Sequence, residues 1–291
     1  MHPAPSVIVF STLSGAGFGL LVWLGLGLPA VTGWPAFWLF ALAYALAVGG
    51  LIASTLHLGH PERAWRAFSQ WRSSWLSREG VAAVATLLLM ALYGAGLVFW
   101  GTRIALLGWI GAALALFAVL TTAMIYTQLK SVPRWNHWST PPLFLTLSVA
   151  SGAMLAGQTG AAILLLAAAL GLQLYWWHDG DSRFARAGHT MSTATGLAQV
   201  RAFAPPHTGP NYLLTEMVHV IGRRHALRLR GLALGLGYGL PLVLLSVVWF
   251  APAAVWLIAP AALAHLAGIL ASRWLFFAEA EHVVGLYYGK R

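Results

Sequence analysis

The side chains best suited to moving protons are gathered in one stretch. Residues 54–80 read STLHLGHPERAWRAFSQWRSSWLSREG. No charged side chain occurs from Met1 to Pro61; then Glu62, Arg63, Arg66, Arg72, Arg78 and Glu79 follow closely, with His57, His60, Trp65, Trp71 and Trp75 among them. An imidazole can give or take a proton near neutral pH without a large change in its pKa. His57, with Ser54 one helical turn earlier and Arg63 and Glu79 nearby in sequence, could serve a quinone head group. Such a group has two carbonyls to hydrogen-bond and exchanges two protons per two-electron turnover, which is work for positioned acids and bases. A blander reading fits the same residues: His57 bonded to a carbonyl at a membrane interface, beside an aromatic belt and a positive-inside arginine cluster. The Arg and Trp alternation in RAWRAFSQWR fits a docking surface equally well, because these two residues concentrate at the anchors of protein interfaces. Arg66, Trp71, Arg72 and Arg78 are the candidates there, joined by Arg134 and Trp135 of KSVPRWNHW and by Arg223 and Arg224 further on.

What is missing narrows the chemistry. There is no cysteine, so disulfides, thiolate-held iron–sulfur clusters, a C-x-x-C-H haem attachment and cysteine nucleophiles are all excluded. No P-loop, H-E-x-x-H or G-x-S-x-G occurs. The SGAGFG run at 14–19 has no strand before it, so close helix packing is the better reading than a nucleotide loop. Among the histidines only His265 falls mid-span; a bis-His haem needs two at similar depth, so haem b is not expected and a hydrogen-bonded packing role is. No metal site is expected. The acidic residues leave little for a carboxylate relay inside a span.

These residues must be positioned by a membrane fold. Hydrophobic residues make up 59% of the 291 and charged ones 8%, against about 25% charged in globular domains. Uncharged stretches cover 1–61, 81–102, 104–129, 135–178 and 231–272. A spanning helix needs roughly 20 apolar residues, and turn residues collect in GLPAVTGWP (27–35), GQTG (157–160) and FAPAA (250–254). The pattern predicts an all-α polytopic membrane protein of eight helices, near 7–28, 36–57, 81–100, 104–128, 141–157, 160–177, 230–250 and 253–277. The fifth is the shortest, which leaves seven as an alternative. A lipid-exposed backbone must bond within helices or a closed barrel, and the long apolar runs do not alternate as barrel strands do. The first run is too long, and lacks the basic start and cleavage site, for a signal peptide.

One membrane domain, 1–291, is expected, with loops 58–80, 129–140 and 179–229. With eight spans, fifteen of the seventeen Lys and Arg residues fall on the face of those loops and the termini; Arg103 lies opposite and Arg273 within the last helix. The positive-inside rule makes that face cytoplasmic, with both termini inside. The net charge of +10 is then a collar facing anionic lipid or a docked subunit, and not a nucleic-acid site. Within the last loop, EMVHVIGRRHALRLR (216–230) can lie as a basic amphipathic helix on the surface, or serve docking, since long structured loops are usually functional.

Several segments resemble a known family. MHPAPSVIVFSTLSGAGFGL (1–20), the 54–80 stretch with its L-H-L-G-x-P core and S-x-E, and MIYTQLKSVPRWNHWSTP (124–141) are similar to the membrane-anchor subunits of the DMSO-reductase type. HTMSTATGLAQVRAF (189–203) and PPHTGPNYLLTEM (205–217) look closer to the branch that anchors sulfite:quinone oxidoreductases. The resemblance implies an eight-helix anchor that is not catalytic alone. It would exchange electrons between an iron–sulfur subunit and the quinone pool, with molybdopterin and the clusters held only by partner subunits. It implies that His57 binds quinol, and that Glu79 falls on a motif position. In the DMSO-reductase complexes the catalytic dimer faces the periplasm, whereas the sulfite-oxidising branch works from the cytoplasm. The charge bias here favours the latter, in a bacterial inner membrane. An S-oxide reductase anchor oxidising menaquinol, a haem b electron-transfer subunit and a secondary transporter remain as alternatives.

Overall fold

The computed structural model describes residues 1–56, 58, 60–204, 206–207, 209, 211–218 and 225–289. Among these the regular structure is helical, without strands. The bundle is built from α1 (Pro5–Leu26), α2 (Gly33–Thr55), α3 (Trp75–Phe99), α4 (Ala105–Thr127), α5 (Thr140–Leu155), α6 (Thr159–Arg186), α7 (Ala226–Phe250) and α8 (Pro252–Ala278). Seven of these are long and apolar enough to cross a membrane; α5 has 16 residues. At 1.5 Å per residue α5 reaches about 24 Å, short of a hydrocarbon core of about 30 Å.

Hydrogen bonds between distant segments fix which ends lie together. The Met1 amino group donates to Ala280 O at 2.7 Å, and Val283 N donates to Ser131 O at 3.0 Å. Thr122 near the end of α4 bonds Glu79 near the start of α3. At the other end Arg103 donates to Leu26 O at 2.6 Å, and Gly160 at the start of α6 lies against the Trp249 ring near the end of α7. The connections after α2, α4 and α6 therefore share one end with Met1 and the segment after α8. That end carries the basic loops.

Helix starts differ from those expected where charge marked the boundary. α3 begins at Trp75, because Ser74 caps it by accepting from Ser77 N at 3.4 Å; Arg78 and Glu79 are thus helical, not loop. α6 runs on to Arg186, held by Asp179 pairing with Arg183 and Arg186 on the same face. Ala226–Arg230 already forms the first turns of α7, while Leu213–Met217 is a single wide π turn. Of the basic helix that 216–230 could form leading into the seventh span, Ala226–Arg230 is helical and continuous with α7; residues 219–224 lie outside the described set.

The SGAGFG run packs as expected. A Cβ on Gly17 would run into the Ala47 backbone of α2, and one on Gly19 would overlap the Ser148 carbonyl of α5. Only glycine lets the three backbones approach this closely, and dispersion between them replaces the hydrophobic drive that lipid cannot supply. In α7 the chain widens into a π turn at Gly235–Gly239. Pro241 has no N–H to return to Gly237 O at α-helical spacing, and that carbonyl instead accepts from His265 Nδ1 at 2.6 Å.

Candidate functional site

At the basic end, α2 closes at Thr55, with Ser54 Oγ donating to Leu51 O at 2.6 Å. His57, the leading candidate, lies outside the described residues; its neighbours Leu56 and Leu58 are exposed. Pro61–Phe68 follows as an exposed 3₁₀ helix. Arg63 is solvent-facing, its Nε 3.8 Å from Glu62, whose carboxylate also meets His60 Nδ1 at 2.9 Å.

Glu79 is placed differently from its sequence neighbours. It is buried, at 7% exposure, one turn into α3, and takes the Thr122 hydroxyl of α4 as its partner. Tyr126, one turn beyond Thr122, is packed edge-on against Trp135, Phe276 and Phe277. Arg273 of α8 stacks on the neighbouring Phe144 ring at 3.5 Å, with its Nε unpartnered. Loop boundaries drawn from charge leave no acid inside a span; Glu79 corrects that, because the helix starts earlier than the charge run ends. Among the described residues no hydrogen bond or ion pair joins Ser54, Arg63 and Glu79.

The arginines and tryptophans of the connection after α2 form three adjacent pairs. Arg66 lies over Trp65 at 5.6 Å, Arg72 over Trp71 at 5.4 Å and Arg78 over Trp75 at 4.4 Å. Arg78 also donates to the carbonyls of Trp71 (3.0 Å) and Arg72 (2.6 Å), folding the segment back on α3. Arg66, Trp71 and Arg72 stay exposed. Arg134 and Trp135, expected on the surface, are buried instead. Arg134 donates to Asp181 at 2.8 Å and Glu279 at 2.7 Å, and Trp135 Nε1 donates to Phe276 O at 2.8 Å. Arg230 completes the cluster, reaching Glu279 at 2.7 Å and Asp181 at 2.6 Å. Two acids and two arginines so bind the connection after α4 to α6, α7 and the end of α8. Arg223 and Arg224 lie outside the described residues. His137, in the same connection, has its pKa lowered by burial and by the Arg183 charge, which Asp179 partly opposes.

Deeper lies a set of polar contacts that composition does not reveal. Ser272 donates to Gln173 Oε1 at 2.9 Å, and Tyr238 OH lies 3.4 Å from the same oxygen. His265 Nε2 meets Ser151 Oγ at 2.8 Å. Both ring nitrogens of His265 are thus engaged, as a packing histidine requires. Ala150, Ala153, Met154, Ala162, Leu166, Leu245, Ala261 and Ala262 close the bundle beyond it with an apolar cluster. Interhelical hydrogen bonds of this kind hold membrane helices together. Among the described residues no three His, Asp or Glu side chains converge as a metal site.

The chain matches the family described as DMSO reductase anchor subunit (DmsC) over residues 6–176. It belongs to that family. The matched region runs from α1 through most of α6, and includes the 54–80 patch, Thr122 and the Arg134 connection. The chain is also 36% identical to a sulfite dehydrogenase subunit from Allochromatium vinosum, over 99% of both chains. No solved structure matches it. This anchor-family chain is therefore an all-helical membrane subunit of a multi-subunit molybdoenzyme.

Proposed function

We propose that the chain is the quinone-reactive anchor of a three-subunit sulfite-oxidising enzyme. It takes electrons from an iron–sulfur subunit, which receives them from a molybdopterin subunit, and passes them to quinone. The observation that carries this reading is the full-length match to the Allochromatium vinosum sulfite dehydrogenase subunit; the residues at the basic end supply a chemistry for it.

Reduction of a quinone to quinol consumes two electrons and two protons. His57, the second residue after α2 in sequence, is assigned the role of hydrogen-bonding one carbonyl and delivering a proton there. Ser54 and Arg63 flank it in sequence and stabilise the charge that builds on the oxygens. Glu79, buried against Thr122 near the start of α3, supplies the second proton, to the other carbonyl. The quinone tail lies among the helices, in lipid. Eight crossings, including the short α5, place all the basic loops on the cytoplasmic side, in agreement with the positive-inside bias. Arg66, Trp71, Arg72 and Arg78, with Arg223 and Arg224, then offer the iron–sulfur subunit a basic, aromatic surface. Arg134 and Trp135 are buried and fix the connection after α4 to α6 and α8 at the same end.

The reading is tested by composition and sidedness. Tagged and purified from native membranes in mild detergent, the chain is expected to bring molybdenum and iron with it. A reporter fused after Arg291 is expected to be active only in the cytoplasm. A chain that purifies free of both metals under conditions that keep other respiratory complexes intact would overturn the assignment.

A further inference from the structure

At the basic end several arginines are held by acids. Asp179 is taken by Arg183 and Arg186, and Asp181 and Glu279 are shared by Arg134 and Arg230. Arg228, on the first turn of α7, is exposed and makes no hydrogen bond or ion pair to a described residue, and the same holds for His225 beside it. The two stand at the mouth of an open groove of about 650 Å³ between α1, α7 and α8. Its walls are Ile8 and Val9 of α1, Leu229 of α7, and Leu270, Ala271 and Trp274 of α8. From the end of α8 to Leu270 is about 12 Å at 1.5 Å per residue, the reach of a head group and the upper part of an acyl chain.

A third feature faces the same mouth. Pro5, the first residue of α1, lines the groove. α1 has no side-chain cap and no acid in its first turn; Pro5 brings no N–H and Val7 and Ile8 donate to Ala4 O, so what is left without side-chain compensation is the Ser6 N–H and the positive dipole end of a 22-residue helix. Such an end favours an anion. A cation, an imidazole and a helix N-terminus therefore surround the entrance to an apolar slot, with a tryptophan in its wall at a depth where indoles prefer to sit.

We propose that this groove binds an anionic phospholipid. Its phosphate is held by Arg228, His225 and the start of α1, and one acyl chain lies along Leu229, Leu270, Ala271 and Trp274. The charge complementarity favours a phosphodiester, which carries a permanent negative charge, over a quinone head group, which is neutral until it is reduced. The site is separate from the 54–80 patch and stands whether or not the quinone reading holds.

The test uses the full-length chain with any partners it retains, stripped of lipid in detergent. It is then offered phosphatidylglycerol or phosphatidylcholine of matched acyl chains, and bound lipid is counted by native mass spectrometry. A basic side chain near an anionic surface is worth about 1 kcal/mol, or about fivefold. Wild type is expected to retain phosphatidylglycerol at least about fivefold over phosphatidylcholine. Arg228→Gln with His225→Gln is expected to bring the two lipids to parity, and Ala271→Phe, which fills the slot, to reduce both. Arg201→Gln, an exposed change elsewhere in the same polar segment, is expected to keep the preference. Equal retention of the two lipids by wild type would overturn the proposal, as would a preference that survives in the Arg228/His225 double variant. Displacement of bound phosphatidylglycerol by a short-chain quinone, mole for mole, would overturn it too and give the groove to quinone.

Discussion

Replacing Glu279 by Gln is expected to loosen the basic end more than any other single isosteric change. Glu279 is 5% exposed and lies 2.7 Å from both Arg134 and Arg230, whose side chains are 8% and 19% exposed. Removing one partner of a buried ion pair costs about 3–5 kcal/mol, chiefly because the remaining charge stays buried. Asp181 also contacts both arginines and is 49% exposed, so it retains part of the compensation and places the loss for Glu279→Gln at the low end, about 3 kcal/mol. Asp181→Asn removes a half-exposed carboxylate and is expected to cost about 1 kcal/mol or less. Heating the detergent-solubilised chain and following the monodisperse fraction gives the order directly. The double variant Glu279→Gln with Arg134→Gln should cost less than the sum of its parts, since the second change removes the charge stranded by the first. Equal losses for Glu279→Gln and Asp181→Asn, or the reverse order, would refute the claim that this buried cluster holds the connection after α4.

Glu79→Gln in the assembled complex should lower sulfite-dependent quinone reduction by about 10²-fold, the lower range for general acid–base catalysis, with bound molybdenum and iron unchanged; full activity would remove Glu79 from the proton route. Gly152→Val, whose Cβ would overlap the Gly19 backbone, should leave little folded protein in the membrane, because two backbones would have to separate; normal yield and melting would contradict the packing of α1 on α5. Stability should also fall as pH drops below about 6.5. The folded state holds His137 below its ordinary value of 6.5, so the unfolded chain takes up the proton first and is favoured as pH falls through that value. His282 shifts in the same direction. His137→Asn should flatten the pH dependence of the melting temperature between about 7.5 and 5.5; an unchanged slope would assign it elsewhere.

The spans are legible in the sequence because lipid permits few alternatives: long uncharged runs with turn residues between them have to be helices. Their ends are less legible, because charge is a poor boundary marker. Ser74 and the Asp179–Arg183 pair show why: helices continue into the interface wherever a cap or an i,i+4 pair satisfies them. Glu79 illustrates the consequence, since an acid that the sequence counts with the loop stands inside the bundle with Thr122. Arg134 reads in sequence as a surface cation among others. Only the fold brings it to Glu279 and Asp181, which are far apart in the chain, although Glu279, Ser272 and His265 recur at seven-residue spacing along α8 and its C-terminal cap. The π turn has a visible cause in Pro241 and its glycines, but spacing does not name its partner His265. Arg228 is one of many collar charges until the fold sets it beside the groove between α1, α7 and α8.

The most direct test of the quinone reading is turnover. The complex purified through this chain is given sulfite and a water-soluble quinone analogue, and quinone reduction is followed for wild type and His57→Ala. Sulfite-dependent reduction by wild type, lost by at least about 10²-fold in His57→Ala while molybdenum and iron remain bound, is the expected result. Undiminished turnover in His57→Ala, or no reduction by a wild-type complex that holds both metals, would contradict it.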